Sequence, residues 1–126
     1  MAVAQILIVD DDPGMTETLA DILCDKGYGV NVAGDGYKAI EKGKERRYDV
    51  ALMDIKMPGI NGVETFEKFK QISPLTSVIM MTAYSVGELV KEALMKGAFC
   101  VIYKPLDIEK LITMIKAICK HKRLEF

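Results

Sequence analysis

Five short apolar runs mark the chain, at residues 6–9, 30–33, 50–53, 78–81 and 100–103. They read as continuous rather than alternating. That pattern belongs to strands covered on both faces, as in a parallel sheet. The segments between them carry apolar residues at helical spacing. Met15, Leu19, Ile22 and Leu23 form one stripe, and Val86, Leu89, Val90, Ala93 and Leu94 form another. Ile108, Leu111, Ile112, Ile115 and Ile118 form the clearest. Val63, Phe66 and Phe69 make a shorter face, and residues 37–46 give the faintest helical pattern. The order is strand then helix, repeated five times.

Boundary residues agree with this division. Asp12-Pro13 has the form of an N-cap followed by proline at the first helical position. Asn61 with Glu64, and Ser85 with Glu88, have capping-box spacing. Gly27 and Gly97 fall where helices should end. Right-handed crossovers turn such a chain into a doubly wound α/β sheet with helices on both faces. The expected domain is residues 1–119. The basic run Lys120-His121-Lys122-Arg123 and the residues after it read as a frayed helix end, the start of a linker or an added remnant.

Composition narrows the function. The chain has 126 residues, the size of one domain, and half of them are hydrophobic. Lys plus Arg number 17 and Asp plus Glu 18, a formal net charge of −1. So balanced a chain has no whole-domain footprint for nucleic acid or an anionic membrane. Cys24, Cys100 and Cys119 are far apart and lack metal or disulfide spacing, so reduced thiols and a cytoplasmic location are expected. No stretch is long and apolar enough to read as a membrane span or signal sequence.

In doubly wound sheets, ligands bind beyond the carboxyl ends of the strands. The first run ends in Asp10-Asp11-Asp12, the third in Asp54, the fourth in Thr82-Ala83 and the fifth in Lys104-Pro105. Folding therefore gathers several carboxylates, a hydroxyl and an ammonium. Carboxylates about 4 Å apart repel by ~1 kcal/mol even in bulk water. A hard divalent cation offsets this, and an all-oxygen donor set suits Mg²⁺. A carboxylate beside a metal and a lysine is a competent nucleophile toward a phosphoryl group. Taken singly, an Asp at a strand end is usually a cap or turn former, and Asp12 before Pro13 reads that way. The weight lies in the four strand ends together.

These residues resemble a known family. Residues 6–9 followed by Asp10-Asp11, Asp54 followed by Met57-Pro58-Gly59 and Gly62, Thr82-Ala83, and Lys104-Pro105 are similar to the receiver domain of bacterial two-component response regulators, over about residues 4–119. The resemblance implies a flavodoxin-like (βα)5 fold with a five-stranded parallel sheet. It implies a regulatory phosphoacceptor with at most slow self-catalysed transfer and dephosphorylation, rather than an enzyme. Asp54 would take a phosphoryl group from a phosphohistidine. Asp10, Asp11, Asp54 and the main-chain carbonyl of Lys56 would hold Mg²⁺. Lys104, Thr82, Lys56 and the main-chain amide of Ala83 would face the phosphate. The Lys104-Pro105 peptide would be cis.

The resemblance also implies a switch. Thr82 would move toward the phosphate and pull residues 83–87, remodelling the face of the fourth helix, fifth strand and fifth helix. Family members often carry an aromatic three positions before the lysine; here Val101 stands there and has no ring to swing. Tyr84 and Tyr103 read as packing or surface residues. The implied partners are a histidine kinase or histidine phosphotransfer protein and an output domain or protein outside this chain. Met15 and Thr18 are the kinase-interface candidates, with Leu19 and Ile22 assigned to the core. A homodimer on phosphorylation fits that face, and no direct contact with nucleic acid or membrane is expected.

Three rival readings are weaker. A haloacid-dehalogenase-like phosphatase wants a Thr two positions beyond Asp12, where Gly14 stands. A flavin carrier wants a Ser/Thr/Gly-rich first loop rather than three acids. A non-phosphorylated interaction module has no need of the intact Asp, Thr and Lys set. A stand-alone phosphorelay intermediate remains the alternative within the family. Gly34-Asp35-Gly36 reads as a turn and His121 as a solvated side chain.

Overall fold

The computed structural model describes residues 3–83 and 87–124, with the side chains of 123 and 124 left aside. Tyr84, Ser85 and Val86, to which a capping box and one stripe position were assigned, lie outside the described residues.

The element order is β1 (Gln5–Val9), α1 (Pro13–Asp25), β2 (Gly29–Ala33), α2 (Gly36–Glu45), β3 (Val50–Asp54), α3 (Gly62–Ile72), β4 (Ser77–Thr82), α4 (Gly87–Met95), β5 (Cys100–Tyr103) and α5 (Ile108–Leu124). All strand pairs are parallel, in the order β2-β1-β3-β4-β5. This is the flavodoxin-like doubly wound sheet. The chain winds outward from β1 to β2, then returns to lay β3 on the other side of β1. The topological switch therefore falls between β1 and β3.

Strand alternation divides the core into two layers. Leu7, Val9, Ala51, Met53 and Met80 face α2, α3 and α4, where they meet Ala39, Phe66, Phe69 and Ala93. Ile6, Ile8, Val50, Leu52 and Met81 face α1 and α5, where they meet Leu19, Leu23, Leu111 and Ile115. Each central strand is thus apolar at successive residues because both its faces are covered. The expectation of full cover fails at the edges. Val32 on β2 and Tyr103 on β5 are exposed, because an end strand is only partly roofed by helices. The β2 run also contains Asn31, which an unbroken apolar reading passed over.

Local chemistry sets the boundaries. Asp12 caps α1, its Oδ1 accepting from the Met15 amide at 3.2 Å. Asn61 and Glu64 form a full capping box at α3, at 2.9 and 3.4 Å. Asp35 caps α2 through the Lys38 amide at 2.8 Å, so the Gly34-Asp35-Gly36 turn is a helix start. Gly27 and Gly97 adopt φ of +96° and +102° just past α1 and α4, a conformation that favours glycine. α5 runs on through residues 120–124. Among the described residues, no helix is long and apolar enough to cross a membrane.

One glycine bears directly on the carboxyl edge. A Cβ on Gly62 would stand 2.0 Å from the Asp54 carbonyl oxygen and 2.6 Å from the Ile55 Cα. Both are backbone, so neither can rotate away. Gly62→Ala is expected to cost about 2–3 kcal/mol, as overpacking does. Gly34→Ala, where nothing lies within 4 Å, should stay within about 0.5 kcal/mol of the parent. Urea unfolding of the two variants checks the contrast; equal stabilities would refute it.

Candidate functional site

Parallel register brings the strand ends together. Val9 lies opposite Met53, so Asp10 and Asp54 leave the sheet side by side at the topological switch. Thr82 lies opposite Tyr103, which brings Lys104 alongside. The Lys104 amide donates to the Thr82 carbonyl at 2.8 Å, and the Asp10 amide donates to the Ala33 carbonyl at 3.1 Å. The Lys104–Pro105 peptide is cis.

The side chains converge accordingly. Asp10 and Asp54 are only 2% and 6% exposed, and Asp11 is exposed at the rim. Carboxylate oxygens of Asp10, Asp11 and Asp54 lie within 4.8 Å of one another. Lys104 Nζ reaches Asp10 Oδ2 at 2.6 Å and Asp54 Oδ2 at 3.3 Å. Asp10 Oδ1 also accepts from the Asp12 amide at 3.0 Å, and Asp54 Oδ1 from the Lys56 amide at 3.3 Å. Thr82 is fully buried at the end of β4, and Ala83 after it is exposed.

Burial pushes the Asp54 carboxyl above its ordinary range, and the Asp10 charge adds to the push. The Lys104 ammonium and the Lys56 amide oppose it without cancelling it. Burial alone would lower Lys104, but its hydrogen bond to Asp10 and the charges of Asp54 and Asp10 outweigh that and raise it. Lys104 is therefore held as a cation. Three carboxylates against one ammonium leave −3 + 1 = −2 at the cluster. An all-oxygen set with that residual charge fits a divalent, oxygen-preferring cation such as Mg²⁺.

The other predicted residues lie further out. Val101 is half-buried, opposite Met80 and packed with Leu89 and Val90 against the α4 side of the core. Met15 sits in the first turn of α1 and packs partly against the core, while Thr18 is exposed with its hydroxyl donating to the Gly14 carbonyl at 2.9 Å. Leu19 is core as expected, and Tyr103 is at the surface. Sequence reasoning missed two features. Lys104 stands nearer Asp10 than Asp54, and Gly62 is pressed against the Asp54 backbone. The glycine was visible in the motif, but its reason was not.

The chain matches the response regulator receiver domain over residues 6–116. It belongs to that family. It is 40% identical over 119 residues to the transcriptional regulatory protein ZraR of Klebsiella oxytoca, covering 94% of this chain and 27% of that one. The chain therefore spans about a quarter of that relative's length. It is 34% identical to the sporulation initiation phosphotransferase F of Bacillus subtilis, covering 89% of this chain and 90% of that one. A CheY-like receiver domain structure from Methanospirillum hungatei superposes with a TM-score of 0.95 at 32% identity, covering 99% of this chain and all of that one. The receiver fold expected from the strand-end motifs is the observed one.

The raised Asp54 carboxyl sets a sign for stability in this receiver. Its ionised form is disfavoured by folding, so the stability tied to this group is full at low pH and falls as pH rises through its raised range. Asp54→Asn should therefore stabilise the metal-free protein by about 1 kcal/mol at pH 8. The gain should shrink as the pH falls toward the ordinary carboxylate range near about 4. Urea unfolding in chelator across this range checks it; a gain that grows on acidification would sink the assignment.

Proposed function

We propose that this receiver is a phosphoacceptor that takes a phosphoryl group onto Asp54 and relays its arrival through Thr82. The observation that carries the reading is the convergence of three carboxylates and Lys104 on one point at the switch between β1 and β3.

The donor is the phosphohistidine of a histidine kinase or phosphotransfer protein. An oxygen of the ionised Asp54 attacks phosphorus; the P–N bond breaks, and the imidazole leaves with the electron pair. Asp10, Asp11, Asp54 and the Lys56 carbonyl would hold Mg²⁺, which would supply positive charge against the transferring oxygens. Lys104 favours the ionised form of Asp54 against the cost of burial and then donates to a phosphoryl oxygen. The Thr82 hydroxyl and the Ala83 amide supply further donors. Met15 and Thr18, one turn apart at the start of α1, border the acidic loop and form the donor protein's docking edge.

Phosphate adds about −1.5 to −2 charge and strong acceptor oxygens. Thr82 sits at the end of β4, immediately before the segment leading to α4. Movement of Thr82 toward the phosphate shifts that segment and the α4, β5 and α5 face. Val101 acts there as a packing residue rather than a rotating ring. The role is regulatory rather than enzymatic, and an output domain or protein reads the altered face. The 34% identity to a sporulation initiation phosphotransferase supports phosphorelay as a second reading.

Incubation with acetyl phosphate and Mg²⁺ should give a hydroxylamine-sensitive label that Asp54→Ala abolishes. Undiminished labelling of that variant would remove Asp54 from its role. Asp11→Asn should weaken Mg²⁺ binding roughly tenfold, or ~1.4 kcal/mol. Equal affinity of both proteins in a calorimetric titration would take Asp11 out of the site.

A further inference from the structure

The opposite end of the sheet carries a feature that phosphoacceptance does not use. The loop from α3 to β4, residues 73–76, is fixed on several sides. Lys122 Nζ on α5 donates to the Leu75 carbonyl at 2.6 Å and to the Asp49 carbonyl at 2.5 Å. The Thr76 hydroxyl donates to the Tyr48 carbonyl at 2.7 Å and lies 2.6 Å from the Ser73 hydroxyl. Yet this fixed loop carries Leu75 with 64% of its surface exposed. A scattered exposed leucine is ordinary. One on a rigid loop is already ordered, so little entropy is lost when a partner covers it.

Grooves flank Leu75 on both sides. One, of about 580 Å³, has a floor of Phe66, Val78 and Ile118 with Phe99 at its edge, and Lys70, His121 and Lys122 along it. Phe99 is itself 53% exposed. The other, of about 410 Å³, is lined by Ile72 together with Lys44, Arg46 and Arg47. Pro74 and Leu75 belong to both, so the two form one track across the loop.

The charge along this track has one sign. Residues 42–47 hold Lys42, Lys44, Arg46 and Arg47 against the single acid Glu45, a balance of 4 − 1 = +3. Residues 116–123 contain no acid at all. The nearby carboxylates are engaged: Asp49 accepts from the Gln5 amide at 2.8 Å, and Glu67 pairs with Lys96 at 2.7 Å. Lys70 is held at the groove edge by the Lys96 carbonyl at 3.0 Å.

We infer that this track is a docking surface for an acidic, amphipathic peptide segment of a partner protein. Its apolar residues would lie against Leu75 and the groove floors, and its carboxylates along the cationic rims. A compact anion would fill one groove only; a chain-like occupant uses both and the leucine between them. The surface is remote from Asp54 and does not depend on its phosphorylation.

The test uses the whole chain, unphosphorylated, and a short fluorescein-labelled peptide alternating Glu with Leu and Phe. Fluorescence anisotropy should detect binding, weakened roughly tenfold by Leu75→Ser and likewise by Arg47→Glu. Both side chains are exposed, and unchanged melting temperatures would establish that the variants fold. Amide NMR shifts should centre on Val78 and Phe99. An all-Glu peptide binding as tightly would reduce the track to a bare cationic patch and overturn the inference. So would a Lys-for-Glu peptide binding as tightly, unaltered affinity in both variants, or shifts centred on Asp54.

Discussion

The structure turns on two carboxylates held out of water beside each other, with one ammonium between them. Asp10 and Asp54 are nearly inaccessible, and Lys104 spans them at 2.6 and 3.3 Å. Such a group is stable only if its members cannot drift apart or reach solvent separately, because an unpaired buried charge costs far more than a paired one. The apolar strands supply that constraint. With Ile8, Val9, Leu52 and Met53 fully buried, a one-residue slip of β1 or β3 would turn the core faces over, so the register is fixed. The same register fixes where the acids emerge. Hydrophobic packing thus sets the electrostatics, and the cluster keeps a surplus of negative charge that a divalent cation can meet.

The backbone around Asp54 is equally confined. Gly62 opens α3 against the Asp54 carbonyl, and its amide donates to the Ile55 carbonyl at 2.7 Å. The Ile55 amide in turn donates to the Met81 carbonyl at 2.8 Å. The loop after β3 is therefore tied to β4 on one side and to the start of α3 on the other. A displacement of Thr82 at the end of β4 is felt by rigid neighbours rather than absorbed by a slack loop.

Most of the fold was legible in the sequence because it rests on local patterns. Apolar runs located all five strands, missing only terminal residues such as Gln5, Gly29, Ser77 and Thr82. The stripe in α5 was plain because all five of its residues face one core layer; α2 was faint because it buries only Gly36, Ala39 and Gly43 among lysines and glutamates. The site was legible for a different reason: parallel strands all end on one edge, so reading the residue after each run lists the site. What stayed hidden depends on distances between elements. The preference of Lys104 for Asp10, the close approach of Gly62 and the grooves around Leu75 have no periodic signature. The partial exposure of β2 and β5 likewise follows from strand order, which no single run encodes.

A net charge of −1 conceals a polarity that the winding of the chain creates. In each βα unit the helix runs back against its strand, so helix N-termini lie at the carboxyl edge of the sheet and helix C-termini at the other. Acids near the first and cations near the second both complement the helix dipole. Asp12 and Asp35 cap α1 and α2, while Lys42 and Lys44 close α2 and Lys70 closes α3. Each choice is local and contributes only a few tenths of a kcal/mol to about 1 kcal/mol. Because every unit points the same way, these choices add. One end of the domain becomes a cluster of carboxylates around Lys104, and the other a cationic surface. Composition averaged the two ends away; topology separates them.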